Sequence, residues 1–234
     1  MPFDHVTTWV FDLDETLYPP STPLFPQIEA RMVAWIERVL DVDRAEADRL
    51  RARWWHDHGT TLAGLMREHG HDPAPFLADV HDVDFSVLAP DPDLRAALAA
   101  LPGRRVIFTN GTAPYAERVL AARGLDGLWD AVHGIEHAGH VPKPDRAAYD
   151  AVFARDGLAP ASSVMFEDMA RNLVVPHAMG LETVHVAALR DGGAHVGHHA
   201  PDLTAFLRDV ARGGRRHRAA LAAAPWREAS IPTS

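Results

Sequence analysis

Two aspartates two positions apart, Asp12 and Asp14, end the apolar run Trp9-Val10-Phe11 and are followed by Glu15-Thr16-Leu17-Tyr18. In an extended chain, residues i and i+2 lie on the same side. Carboxylates that close repel each other unless a cation or a shared proton lies between them. Three further pieces bear similar chemistry. The run Val106-Ile107-Phe108 ends in Thr109-Asn110, a hydroxyl and an amide able to donate to phosphate oxygens. Pro142-Lys143-Pro144 sets one lysine between two residues that restrict the backbone. Val164-Met165-Phe166 ends in a second acidic pair, Glu167-Asp168. Each piece has an ordinary structural reading: a solvated acidic loop, an Asn-Gly turn or a surface lysine. Together, in this order, they point to one site.

Such groups must be held by something rigid. Short apolar runs alternate with amphipathic stretches, the pattern of a parallel sheet covered by helices. Strands are expected over 8–13, 105–109, 131–135, 163–167 and 183–186, where Val, Ile, Phe and Trp suit burial on both faces. Helices are expected over 92–101, 114–123, 146–154 and 170–179, with Gly124 and Gly180 placed to stop two of them. Carboxylates at strand ends fit this plan, because open α/β sheets bind ligands there.

One interval breaks the alternation. Residues 19–90 carry helical periodicity alone, as in Ile28, Met32, Trp35, Ile36 and Val39, and are too long for a connection. The expected fold class is therefore α/β, a doubly wound parallel sheet with an inserted helical domain. Residues 1–18 and 91–211 form the core, 19–90 the insert, and 212–234 a tail or frayed helix. Pro19, Pro20 and Pro23 mark one hinge and Ala89-Pro90-Asp91-Pro92 the other.

Composition excludes several classes. The net charge of -9 disfavours binding to a nucleic acid polymer, although a small phosphate can enter a locally positive pocket. The chain has no cysteine, which removes thiolate chemistry, disulfides and Cys-rich zinc sites. The fifteen histidines include His133, His137 and His140, and His195, His198 and His199, read as surface or loop residues rather than zinc ligands. No apolar run approaches the roughly 18 residues of a membrane span, and the start shows no secretion signal, so a cytoplasmic location is expected.

The order Asp-x-Asp-x-Thr, Thr-Asn, Lys-Pro, Glu-Asp resembles the haloacid dehalogenase superfamily. The resemblance implies a doubly wound core with a helical cap inserted after the first strand. It implies Asp12 as nucleophile, Asp14 as general acid/base, and Thr109 and Asn110 as phosphate ligands. Lys143 would neutralise the phosphate, and Mg2+ would be held by Asp12, Asp14, Glu167 and Asp168. An acid at position 14 favours phosphoryl transfer, because the superfamily's true dehalogenases lack one there.

Further segments look like the pyrimidine 5'-nucleotidase branch. They include Leu17-Tyr18-Pro19, His58-Gly59-Thr60-Thr61-Leu62, Val80-His81-Asp82-Val83-Asp84 and Phe166-Glu167-Asp168-Met169-Ala170-Arg171-Asn172-Leu173. His58, Thr60 and Thr61 are then expected to read a base or ribose. Two departures bear on the substrate: His58 and Trp54-Trp55 stand where the branch usually has tyrosines. The tryptophans are otherwise expected in the insert's core. The expected activity is removal of phosphate from a small monoester, foremost a pyrimidine nucleoside 5'-monophosphate, by a monomer or homodimer. The alternatives are a sugar phosphatase, a phosphomutase and a non-catalytic binding module.

Overall fold

The first strand, β1 (Thr8–Phe11), is buried along its whole length, and the chain beyond it is helical. The helices α1 (Phe25–Leu40), α2 (Arg44–His58), α3 (Thr61–His69) and α4 (Pro73–Val80) come next. The remainder alternates as α5 (Pro92–Ala99), β2 (Arg104–Phe108), α6 (Ala113–Ala122), β3 (Ala131–His133), α7 (Arg146–Asp156), β4 (Ser163–Glu167), α8 (Val174–Met179), β5 (Glu182–His185), β6 (His198–His199) and α9 (Leu203–Ala223). This computed structural model describes residues 3–223, with side chains to residue 213. Of the tail expected over 212–234, residues 224–234 lie outside that range. Up to Ala223 the backbone is a continuation of α9, so no break falls at residue 212.

The six strands are parallel in the order β3-β2-β1-β4-β5-β6. The order reverses beside β1, which lies between β2 and β4. A crevice opens at the carboxyl ends of strands at such a switch point. Alternate side chains serve opposite faces. Trp9, Phe11, Ile107, Val164 and Phe166 join the core beneath α5, α6 and α9. Val10, Phe108 and Met165 pack with Tyr149, Val152 and Phe153 of α7. Phe11 and Phe166, paired in register, stack with ring centroids 4.5 Å apart.

The helices of the insert pack on one another around Ile28, Val33, Ile36, Leu50, Trp54, Leu65 and Phe76. Asp43, Thr60 and Asp72 accept backbone N–H bonds at the starts of α2, α3 and α4. Both connections to the sheet meet Arg123. Its buried guanidinium donates to Leu17 O at 3.1 Å, to Asp91 Oδ2 at 2.8 Å, and to Ala89 O.

Three expectations change. Trp54 is fully buried, but Trp55 is 41% exposed. His133 is buried at the end of β3 and bonded to Asp156, while His198–His199 form β6, so these are not loop residues. The stretch expected as one helix over 170–179 is a 3-10 turn, Ala170–Leu173, leading into α8. No helix among the described residues is long and apolar enough to cross a membrane.

Candidate active site

The Asp12 N–H donates to Phe166 O at 2.9 Å, extending the β1–β4 ladder by one step and placing Asp12 beside Glu167. Between them lies Lys143, 1% exposed. Its Nζ donates to Asp12 Oδ1 and Glu167 Oε2, both at 2.7 Å, and to Phe108 O at 3.0 Å. The lysine arrives on its own loop, and Asn110 holds that loop at both backbone atoms. Lys143 N donates to Asn110 Oδ1 at 2.8 Å, and Asn110 Nδ2 donates to Lys143 O at 3.2 Å. Asn110, expected to bind phosphate, thus uses its Oδ1 and one amide N–H to hold the lysine loop. Thr109 is buried at the end of β2, and its Oγ1 accepts from Gly111 N at 3.0 Å.

Glu15 takes the left-handed conformation, with φ of 58°, and turns the chain after the acidic pair. Thr16 then donates to Asp12 Oδ2 at 3.3 Å, and Tyr18 returns to donate to Asp14 Oδ1 at 2.7 Å. Tyr115, from the first turn of α6, donates to the same oxygen at 2.6 Å. Sequence reasoning missed Tyr115, which reads as an ordinary apolar residue of an amphipathic helix.

Oxygens of Asp12, Glu167 and Asp168 lie within 4.8 Å of one another. The carboxylate of Asp14, expected among the metal ligands, is outside that group. Glu167 is otherwise engaged: beyond Lys143, its Oε1 accepts from Asn172 Nδ2 at 3.1 Å. The Asp168 carbonyl is held by His185 Nε2 at 2.8 Å. Two buried carboxylates and the half-buried Asp168 against one lysine leave the centre short of positive charge. Burial and the Glu167 charge push Asp12 up to about 7, against the opposing pull of Lys143. Burial and Glu167 push Asp168 up to about 10. Burial alone would lower Lys143, but Asp12 and Glu167 together hold it above the usual lysine range. Hard oxygen donors carrying excess negative charge fit a divalent cation of the magnesium type.

The insert reaches this centre at the turn between α2 and α3. A Cβ at Gly59 would lie 3.2 Å from Lys143 O and 3.5 Å from Pro144 Cδ, so that turn rests on the lysine loop. Arg171 stacks on Trp55 at 4.0 Å and donates to Gly59 O at 3.3 Å. The neighbouring groups expected to read substrate are engaged within the insert. Thr60 Oγ1 accepts from Ala63 N at 3.1 Å, and Thr61 donates to Arg51 O at 3.4 Å. His58 pairs with Glu68 at 3.1 Å.

A doubly wound sheet with a lysine–carboxylate centre at its switch point defines a class of α/β protein. The model of the haloacid dehalogenase-like hydrolases matches residues 6–179, and the chain belongs to that family. It is 27% identical over 194 residues to glyceraldehyde 3-phosphate phosphatase of Methanopyrus kandleri, covering 76% of this chain and 82% of that protein. It is 25% identical over 175 residues to phosphate metabolism protein 8 of Saccharomyces cerevisiae, covering 68% of this chain and 54% of that one. The chain thus spans about half the length of the yeast relative. A HAD phosphatase of Thermococcus onnurineus shares the fold with a TM-score of 0.60 at 20% identity, over 89% of this chain and 99% of that one. The L-2-haloacid dehalogenase of Xanthobacter autotrophicus shares it with a TM-score of 0.53 at 19% identity, over 90% and 98%.

Proposed function

We propose that the chain is a magnesium-dependent phosphatase of small phosphate monoesters that works through an aspartyl-phosphate on Asp12. The fold is common to dehalogenases and phosphatases, so the residues must decide between them. The observation that carries the reading is a second carboxylate, Asp14, held apart from the lysine–acid centre by two tyrosines. An alkoxide leaving group needs a proton, and a halide does not.

Asp12 attacks phosphorus and the ester oxygen departs with a proton from Asp14. Water then attacks the phosphorus of the aspartyl-phosphate, gives its proton to Asp14, and frees Asp12 and inorganic phosphate. Lys143 balances the charge where anion meets anion, and Thr109 offers a hydroxyl to the phosphate. Asp12 and Asp168, with Glu167 behind them, would hold the magnesium ion, which supplies positive charge to the phosphate oxygens. Residues 19–90 act as the cap that excludes water and reads the leaving group.

For the substrate, the sequence segments favour a pyrimidine nucleoside 5'-monophosphate. A second reading, a small sugar phosphate, is favoured by the likeness to glyceraldehyde 3-phosphate phosphatase and by the engagement of His58, Thr60 and Thr61 within the insert. Phosphate release across pyrimidine, purine and sugar phosphates, with and without magnesium, tests both readings. Release from none of them would refute the proposal, and a preference for sugar phosphates would select the second.

A further inference from the structure

Asp14 is bound in an asymmetric way. Two phenol hydroxyls converge on its Oδ1, at 2.7 Å from Tyr18 and 2.6 Å from Tyr115. No hydrogen bond to Oδ2 is seen among the described residues. The two donors come from separate elements, one on the turn after β1 and the other at the start of α6. Both are 2% exposed. Packing alone does not call for this, since phenylalanine would fill either space. We propose that Tyr18 and Tyr115 are positioning residues that anchor Asp14 by Oδ1, leaving Oδ2 to exchange the proton with the leaving oxygen and with water. The inference rests on the phosphatase reading above.

The chemistry follows from lone pairs. A carboxylate oxygen that accepts two hydrogen bonds has its in-plane acceptor sites filled. A transferable proton there would displace one of the phenols, whereas Oδ2 can carry it without rearrangement. The phenols stay neutral donors, because burial and the adjacent Asp14 raise both well above the usual tyrosine range.

The Tyr115 ring is itself fixed. It stacks on His81 with centroids 4.3 Å apart and planes 14° from parallel, and it meets Phe85 at 6.0 Å. His81 Nδ1 pairs with Thr112 Oγ1 at 3.2 Å. Burial, with the nearby Arg118 charge, holds His81 down to about 4, so a neutral ring lies on the tyrosine. A Cβ at Gly111 would stand 2.8 Å from Tyr115 Cδ1, so a side chain there would push the ring from its place. His81 and Phe85 lie just after α4, which ties the position of Asp14 to the docked insert.

Tyr18→Phe, Tyr115→Phe and the double variant keep the rings and delete the donors. The full chain with magnesium is assayed on a simple alkyl phosphate and on p-nitrophenyl phosphate, whose departing oxygen needs little protonation. Each single variant is expected to lower kcat for the alkyl ester on the order of tenfold, as for a lost hydrogen bond to a charged group. The aryl ester and both KM values should change by less than about twofold. In an Asp14→Asn background the tyrosine changes should have no further effect, as a double-mutant cycle requires when they act through Asp14. Equal losses on both esters, no loss on either, or losses that persist without Asp14 would overturn the inference alone. A wild-type protein that releases phosphate neither from these esters nor from any pyrimidine, purine or sugar phosphate would overturn the phosphatase reading and the inference with it.

Discussion

Lys143→Met keeps the length of the side chain and removes its charge. The structure gives the magnitude. Nζ lies beneath the surface with two carboxylates at 2.7 Å, and the third acid of the cluster stands beside them. Removing one partner from a buried ion pair costs about 3–5 kcal/mol, because the other charge stays behind without compensation. In a domain of this size each kcal/mol lowers Tm by about 2–4 °C, so metal-free protein should melt roughly 6–20 °C earlier. Magnesium binds only the folded site and should recover part of that loss. Catalysis should suffer more. Lys143 is what draws the Asp12 pKa down against burial and Glu167. Without it that downward pull is lost, and the balance at Asp12 moves toward the protonated form, which cannot attack. With the loss of charge at the phosphate, kcat should fall by about a thousandfold. Thermal melts in chelator and in magnesium, beside phosphate-release kinetics, measure both effects. A variant that melts like wild type in chelator and keeps a tenth or more of kcat would refute the charge-balancing role.

Asp12 and Asp168 are raised to about 7 and about 10 from 3.8, so the folded metal-free protein keeps protons that the unfolded chain releases. Its stability should therefore fall as pH rises from about 4 through 7 and on toward 10, and magnesium should flatten the fall; a Tm in chelator that rises over this range would contradict the assignment. Asp168→Ala should raise the magnesium needed for half-maximal activity by more than about tenfold, as for a lost carboxylate ligand, whereas an unchanged titration would place the ion elsewhere. Thr61→Val should leave the ratio of kcat/KM for UMP and an aryl phosphate unchanged, since the hydroxyl faces Arg51 O. A shift of about two- to tenfold in that ratio would return Thr61 to the substrate.

The sheet was legible because strands buried on both faces concentrate Val, Ile, Phe and Trp, as in Trp9-Val10-Phe11 and Val164-Met165-Phe166. Strand β6 was not, because two histidines carry no apolar signal and pair beside β5 over only two residues. The helical nature of residues 19–90 was plain from periodicity, but periodicity does not say which neighbour faces out. Trp54 and Trp55 are adjacent on α2 and therefore point about 100° apart. One fills the core, and the other lies under Arg171. In the site, the acidic residues announced themselves by position at strand ends, and Lys143 by its place between two prolines. Their supports did not. Tyr115 is 101 residues from Asp14 along the chain. Asn110 looks identical in sequence whether it binds a ligand or a loop. Such roles are set by tertiary convergence, which leaves no local pattern.

The most direct measurement concerns Asp12 itself. Enzyme quenched during turnover of a phosphate ester is treated with borohydride, which reduces an acyl phosphate to an alcohol, and is then digested and mapped by mass. The mechanism predicts homoserine at position 12 in the wild-type protein. It predicts an unmodified peptide, and phosphate release at background, in a folded Asp12→Asn variant. Steady phosphate release with residue 12 unmodified, or from the Asp12→Asn variant at a comparable rate, would contradict the covalent mechanism.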